Sequence, residues 1–205
     1  MNIDINTQDE NGNTPLMNAI IDKKMLSAKK LINDYKKTIN PNKMNNQKKT
    51  ALMLLCSHNV DSYGSVEYDS PDLLLTLVDS LLNLCADLNM KDNEGFTALM
   101  LASKYVHPGL VTRLLETNRV SDINEKTNSY FSPLTALILA IDDKNRSFVD
   151  DPRNINDYSN MSRYTRQQDV MKILKAAMEN KLVSDGRRRK AGGRRRLSPK
   201  HKQTK

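Results

Sequence analysis

The segment KDNEGFTALMLASKYVHPGLVTRLL, residues 91–115, contains the pattern that decides the fold. A turn-forming run with Gly95 precedes Thr97, and two apolar runs at helical spacing follow, one after Thr97 and one after Pro108. Apolar residues that recur every three or four positions give a helix one buried face. The segment therefore predicts a turn followed by two short helices, and a single pair of helices cannot bury both faces alone.

Similar segments occur three more times along the chain. The anchoring residues of the four copies, Thr14, Thr50, Thr97 and Ser132, are spaced 36, 47 and 35 positions apart. Each copy continues with a second apolar run, at 25–32, 73–84, 110–115 and 169–178. This arrangement predicts a repeat array whose copies stack, with its function on the surface rather than in a pocket.

The copies resemble the ankyrin repeat family, whose motif reads roughly D-x-x-G-x-T-P-L-H-x-A. The first copy, DENGNTPLMNAI from Asp9, matches at Asp9, Gly12, Thr14, Pro15, Leu16 and Ala19. The third copy matches at Asp92, Gly95, Thr97, Leu99 and Ala102, and the family's closing A-D-x-N stands at 86–89. The resemblance covers roughly residues 3–180. It implies an all-α, ankyrin-type solenoid of about four helix pairs with short projecting turns.

The expected domain organisation is an array over residues 1–183 and a tail over residues 184–205. The approximate units are 5–40, 41–89, 90–124 and 125–180, and the period is broken by insertions at 58–70 and 143–166. The insertions are long and polar, which is typical of exposed loops. Ser70 and Pro71 read as the start of the second helix in the second unit.

Residue chemistry explains the motif independently of the resemblance. Gly12 and Gly95 allow a positive φ in a tight turn, while Thr14 and Thr97 are suited to cap a helix and Pro15 to begin one. Three departures carry expectations of their own. The second copy has no glycine and should therefore form a looser turn. The family's His is replaced by Met17, Met53, Met100 and Thr135, so the hydrogen-bond ladder between turns should be missing. Cys85 and Asn118 stand where the family places a helix-ending glycine.

The net charge of +8 belongs to the tail. Residues 187–205 contain ten of the 32 Lys and Arg residues and no Asp or Glu, which leaves 22 basic against 24 acidic residues elsewhere. The tail is too polar to bury a core, so it is predicted to be disordered. Its cations fit either a nuclear localisation signal or sequence-independent contacts to nucleic-acid phosphates. Nine of the ten are the candidate site residues: Arg187, Arg188, Arg189, Lys190, Arg194, Arg195, Arg196, Lys200 and Lys202. Ser198 before Pro199 is a candidate phosphorylation site.

Several kinds of function find little support in the residues. No apolar window is long enough to span a membrane and the first residues do not read as a signal peptide. Only Cys56 and His58 approach a zinc-ligand spacing, and no phosphate loop or hydrolase motif is present. We expect no metal, cofactor, small-molecule substrate or catalytic residue. The two cysteines fit a reducing intracellular compartment, either nucleus or cytoplasm, with a host cell as one alternative.

A protein partner is the best-supported expectation. Asn13, Lys49, Phe96 and Phe131 occupy equivalent places just before the anchoring residues, and Tyr130 adjoins the last of them. The resemblance implies that the turns and the first-helix face bind protein, and aromatic side chains are preferred anchors in interfaces. The alternative for Phe96 and Phe131 is that they pack between adjacent turns.

The sequence thus predicts a non-enzymatic protein-interaction module whose tail serves nuclear targeting or nucleic-acid binding. One alternative is a nucleic-acid-binding protein in which the tail is the main functional element, and a more remote one is an enzyme. The richness in Asn, Lys and Met resembles ankyrin proteins of large DNA viruses and intracellular bacteria, which would imply a host–pathogen role.

Overall fold

The computed structural model describes residues 4–58, 71–128 and 165–181. The predicted tail, Tyr130, Phe131, the first helix of the fourth unit and most of both insertions lie outside these described residues. The array is therefore described through three complete helix pairs and the second helix of the fourth.

Seven helices occupy the described residues, and no strand occurs among them. Each of the first three units contributes a short first helix and a longer second helix. The first helices, α1, α3 and α5, contact one another in sequence, and the second helices, α2, α4 and α6, do the same. The molecule thus has two layers of helices. The bounds are α1 Pro15–Ile21, α2 Met25–Tyr35, α3 Ala51–Cys56, α4 Pro71–Asn83, α5 Ala98–Lys104, α6 Pro108–Glu116 and α7 165–181.

The first helices all begin in the same way. The hydroxyl oxygens of Thr14, Thr50 and Thr97 accept hydrogen bonds from the backbone N–H three residues later, each over 3.3 Å. A threonine cap of this kind contributes about 1 kcal/mol to stability. Pro15 occupies the first turn of α1, where it loses no helical hydrogen bond. The predicted caps and the predicted start of α4 at Pro71 are confirmed.

Left-handed residues end several helices. Cys85 follows α4 with φ 61° and Asn118 follows α6 with φ 54°, as their glycine-like positions predict. Lys23 and Val106, at φ 63° and 58°, turn the chain between the two helices of their units. Neither position is a glycine or asparagine, so these two left-handed residues were not predicted from the sequence. After α1 the N–H groups of Lys23 and Lys24 donate to Ile20 and Ala19, which satisfies the helix-end carbonyls.

The core lies between the two layers. Met17, Met53 and Met100 occupy equivalent positions in α1, α3 and α5 and are each 1% exposed. Methionine is unbranched and packs into irregular gaps, which suits a repeated position whose neighbours differ. Val170 and Leu174 of α7 are fully buried in the same cluster, so the fourth unit continues the core.

Asparagine side chains join the loops that link successive units. Asn6 donates to the carbonyl of Thr38 and accepts from the N–H of Asn40. Asn42 joins Cys85 and Asp87 in the same manner, and Asn89 joins Arg119 and Ser121. Each amide therefore satisfies one carbonyl and one N–H group of the loop that follows a second helix. These repeated contacts fix the spacing of one unit against the next.

The described helices confirm the predicted fold class, an all-α solenoid of stacked helix pairs. The boundaries of the four units remain a prediction. The two layers give the array two different surfaces. The projecting turns and the first helices lie on one side, and the outer face of the second helices lies on the other.

Candidate partner-binding surface

In each projecting turn, the side chain of one Asp or Asn accepts hydrogen bonds from two backbone N–H groups of the same turn. In the first turn, Asp9 Oδ1 accepts from the N–H groups of Asn11 and Asn13, each over 2.9 Å. Asp92 does the same for Glu94 and Phe96 in the third turn, at 3.0 and 2.8 Å. A hydrogen bond from Asn18 is the largest cause that lowers the pKa of Asp9. An ionised carboxylate therefore holds the first turn at neutral pH.

The second turn corrects an expectation from the sequence. Although it has no glycine, Lys48 adopts φ 57° at the position of Gly12 and Gly95. Asn45 accepts from the N–H groups of Gln47 and Lys49 at 3.0 and 2.9 Å, which reproduces the bonds made by the aspartates. The prediction of a looser turn is wrong, because the asparagine amide oxygen supplies the same acceptor and the lysine backbone accepts the left-handed conformation.

The turns are also joined into a ladder, which corrects a second expectation. The N–H of Asn46 donates to Asn11 O at 3.0 Å, that of Asn93 to Gln47 O at 3.1 Å, and that of Asn128 to Glu94 O at 3.0 Å. The prediction of a missing ladder is wrong because backbone amides form it, so the family's histidine is not required. Side-chain amides of Asn46 and Asn93 add further bonds to the preceding turn.

The ladder explains where glycine is required. A Cβ on Gly95 would lie 2.4 Å from the backbone nitrogen of Asn128, and one on Gly12 would lie 2.8 Å from that of Asn46. Both glycines also have positive φ, at 84° and 74°. Close approach of the next turn and left-handed geometry therefore act together at these two positions.

The tips of the turns face solvent in every described unit. Two adjacent exposed residues crown each turn, and all six carry amide or carboxylate groups. An open cleft of about 200 Å³ lies between the second and third turns, with Lys49, Asp92 and Glu94 among its lining residues. Sequence reasoning missed these tips, although they follow the Asp or Asn of each motif by one and two positions. They are Glu10, Asn11, Asn46, Gln47, Asn93 and Glu94.

Of the predicted partner-binding residues, Asn13, Lys49 and Phe96 lie at the base of the turns, beneath these tips, and Tyr130 and Phe131 lie outside the described residues. Asn13 is 8% exposed, and its amide oxygen accepts from the side chain of Asn45 over 2.9 Å. Lys49 is half-buried beside the cleft. Phe96 is 7% exposed, and the ammonium of Lys104 lies 4.6 Å from the centre of its ring. Phe96 is therefore packed, as the alternative interpretation stated, and its role with a partner stays a prediction.

The first helices add an apolar element to the same side. Ile21, at the end of α1, is 47% exposed, while Leu54 of α3 and Tyr105 after α5 are half-buried. These residues follow their anchoring threonines by seven, four and eight positions. The surface made by the turn tips and these three side chains is called the turn surface below. It combines exposed hydrogen-bonding groups with partly exposed apolar side chains.

Two histidines tie the units together behind the turn surface. A ring nitrogen of His58 lies 3.1 Å from the carbonyl oxygen of Ile20, and a ring nitrogen of His107 contacts the carbonyl oxygen of His58. Burial lowers the pKa of His58 from its ordinary value; the hydrogen bond to Ile20 opposes this, and nearby Lys23 lowers the pKa further. Neither contact resembles a general base facing a substrate, because both rings face backbone carbonyls.

The described part of the chain offers neither a metal site nor a membrane-spanning helix. There, no group of three or more His, Cys, Asp or Glu side chains is placed to hold a metal ion. Cys56 is fully buried, and burial raises the pKa of its thiol to about 12. None of the described helices has the length and apolar character needed to cross a membrane.

Comparison with known families decides the identity of the repeats. The family model described as ankyrin repeats, many copies, matches residues 81–140. Residues 81–140 are ankyrin repeats. The match spans the end of α4, the whole third unit and the start of the fourth, and the same capped helix pairs precede it in the first two units. No curated protein matches the chain. Ankyrin repeats generally mediate protein–protein interaction, and a protein partner follows for this chain at that level.

Proposed function

We propose that this protein is a non-enzymatic module that binds one protein partner through the turn surface. The observation that carries the proposal is the ladder, which sets three turns in register and leaves their tips exposed. Because the turns are held before a partner arrives, binding does not have to order them, and less conformational entropy is lost.

The chemistry of the turn surface favours a partner with a polar, hydrogen-bonding face and a small apolar contact. Glu10 and Glu94 bring carboxylates to the first and third turns, while Gln47 brings an amide to the second. Ile21 and Leu54 on the first helices and Tyr105 directly after α5 add the apolar side chains. Partly exposed apolar side chains surrounded by polar ones are a common arrangement in protein interfaces.

The proposal is tested by affinity capture with matched variants. A Glu10→Ala, Gln47→Ala, Glu94→Ala triple changes exposed tips whose side chains make no hydrogen bond within the described residues. The control triple, Ser27→Ala, Asn33→Ala, Asn83→Ala, changes exposed residues of α2 and α4 in the other layer. A partner of the turn surface is retained by the wild type and the control and lost from the tip triple. Equal retention by both triples would rule out the turn tips as the binding site.

The tail carries a second proposed role, which rests on its charge. Ten cations without an acidic residue at 187–205 support nuclear targeting or sequence-independent nucleic-acid binding. A variant of the full chain with Arg187, Arg188, Arg189, Arg194, Arg195 and Arg196 changed to Gln separates the two. Loss of nuclear accumulation with unchanged nucleic-acid affinity supports targeting, and the reverse result supports binding. No change in either refutes both roles.

Location and origin follow as proposals of the same kind. We place the protein in the nucleus or cytoplasm, with a host cell as the alternative that viral or bacterial origin would imply. Phosphate on Ser198 would subtract nearly two charges from the tail and weaken either role. A phosphate-mimicking Ser198→Glu variant should therefore reduce nuclear accumulation or nucleic-acid affinity, and Ser198→Ala should leave both unchanged.

A further inference from the structure

A second basic surface lies within the folded array, although the net charge of residues 1–186 is close to zero. Residues 23–49 contain nine lysines and a single acidic residue, Asp34. The preceding 22 residues contain no Lys or Arg. Positive charge is therefore distributed unevenly along the array, because nine of its 22 basic residues lie in and around α2 and in the loop that follows it.

Five of these lysines lie on or beside α2, and they define the α2 lysine surface: Lys24, Lys29, Lys30, Lys36 and Lys37. The helix buries Met25, Ala28 and Ile32 against the core. Lys30, Lys36 and Lys37 are exposed, and Lys29 is half-buried. The cations therefore lie on the side of α2 that faces away from the array.

Acidic neighbours neutralise little of this charge. Lys24 is paired with Asp22 over 3.0 Å, whereas Lys30, Lys36 and Lys37 make no ion pair within the described residues. On α4, which packs against α2, Asp79 is already 3.1 Å from Arg113 of α6. Asp4 and Asp34 line the same open cavity as Lys36 and Lys37 and are the carboxylates that face this end of the surface. The surface thus keeps an excess of positive charge that is open to solvent.

From this placement we propose that the α2 lysine surface binds the phosphate backbone of nucleic acid without reading its sequence. Lysine offers a mobile point charge that suits phosphate contacts and carries little geometric selectivity. An 11-residue helix spans about 16 Å at about 1.5 Å per residue, and duplex DNA presents one charge per about 1.7 Å of axis. Several phosphates therefore lie within reach of the five cations at once.

Other polyanions fit the surface less well. Leu26, 62% exposed, is the large apolar side chain that α2 presents to solvent, and one leucine is too little to anchor a helix in a bilayer. The outer face of α2 belongs to the opposite layer from the first helices and turns. Nucleic acid and a protein partner would thus bind on opposite sides, and the inference does not depend on the proposed protein-binding role.

The test compares two triple variants of the full chain that remove the same charge. Lys30→Gln, Lys36→Gln, Lys37→Gln changes the α2 lysine surface, and Lys126→Gln, Lys172→Gln, Lys175→Gln changes exposed lysines elsewhere. The probe is a labelled 20-base-pair duplex, titrated between 50 and 200 mM salt. Each lost phosphate contact lowers the slope of log affinity against log salt by about 0.9. We expect the first triple to lower that slope by about 2 to 3 and the control triple by less than about 1.

Two further arms keep the tail and membranes apart from this result. In a background with the six tail arginines changed to Gln, the α2 triple must still weaken the remaining duplex binding more than the control triple does. Vesicles of phosphatidylserine and phosphatidylcholine serve as the alternative polyanion. Equal effects of the two triples on DNA, or an effect of the α2 triple on vesicles but not on DNA, would overturn the proposal.

Discussion

At the scale of single residues, this array tolerates backbone geometry that most side chains disfavour. Five non-glycine residues of the described part have positive φ: Lys23, Lys48, Cys85, Val106 and Asn118. For residues other than glycine and asparagine, this geometry costs about 1 to 2 kcal/mol. Each of these residues lies where the chain reverses direction, between packed helices or in a turn, and the packing of the helices compensates for the strain.

Cys85 gives the first test, because it is exposed and little of its side chain is packed. Cys85→Gly should raise the free energy of unfolding by about 0.5 to 1 kcal/mol, since relief of strain exceeds the extra entropy of glycine in the unfolded chain. Denaturant-induced unfolding measures the change. Cys85→Ala is the control and should have little effect, because alanine keeps the Cβ that opposes positive φ. An equal effect of both substitutions would refute the strain argument.

His58 gives a prediction for pH. Its pKa is lowered in the folded chain, mainly by burial, so the unfolded chain binds the proton more readily. Stability that depends on the neutral ring is present above the ordinary pKa of about 6.5 and is lost as the pH falls through that value toward the folded pKa. Unfolding measured from pH 7.5 to 5.5 should show decreasing stability. His58→Asn should flatten that decrease, and an unchanged pH profile in this variant would contradict the assignment.

At the scale of elements, the turns depend on one another more than their sequences suggest. Hydrogen bonds to its own Asp or Asn close each turn, whereas a backbone hydrogen bond to the neighbouring turn fixes its position relative to that neighbour. Each such backbone hydrogen bond contributes about 0.5 to 1.5 kcal/mol net. The turn surface is therefore rigid only where units are stacked.

Glycine substitutions test this dependence with an internal control. Gly95→Ala should destabilise the protein by at least about 2 kcal/mol, because the new methyl group would meet the backbone of Asn128 at a φ that alanine disfavours. Gly109→Ala lies in α6, where the new methyl group would meet the flexible side chain of Leu75 at 3.7 Å. This control should stabilise the helix by about 0.5 to 1 kcal/mol. Unfolding midpoints of the two variants that shift in the same direction would contradict the ladder.

Sequence reasoning predicted the elements well and their junctions less well. Threonine caps, Pro15 and the apolar spacing specify where helices begin and which face they bury, because those effects are local. The ladder and the asparagine bridges were missed because they join residues 30 to 47 positions apart, and one sequence does not show which amide reaches which carbonyl. Phe96 shows the same limit, since its packing against Lys104 depends on how α5 lies beneath the turn.

At the scale of the whole molecule, stacking makes the stability and the proposed binding properties of one unit depend on its neighbours. In repeat arrays the stability is approximately a sum of unit terms and nearest-neighbour interface terms. The two helix layers also separate the proposed roles, with protein on the turn surface and phosphate on the α2 lysine surface. A module with two independent faces could hold a protein partner close to nucleic acid.

The most direct test of the account is amide hydrogen exchange of the full chain. If the turns are stacked in register, the backbone amides of Asn46, Asn93 and Asn128 should be protected from exchange together. The amides of Asn11 and Gln47, which bond within their own turns, provide the comparison. Joint protection of the three ladder amides is the predicted result. Exchange of these three amides at the rate of an unstructured peptide, with the local turn amides still protected, would contradict a stacked array and remove the basis of the turn surface.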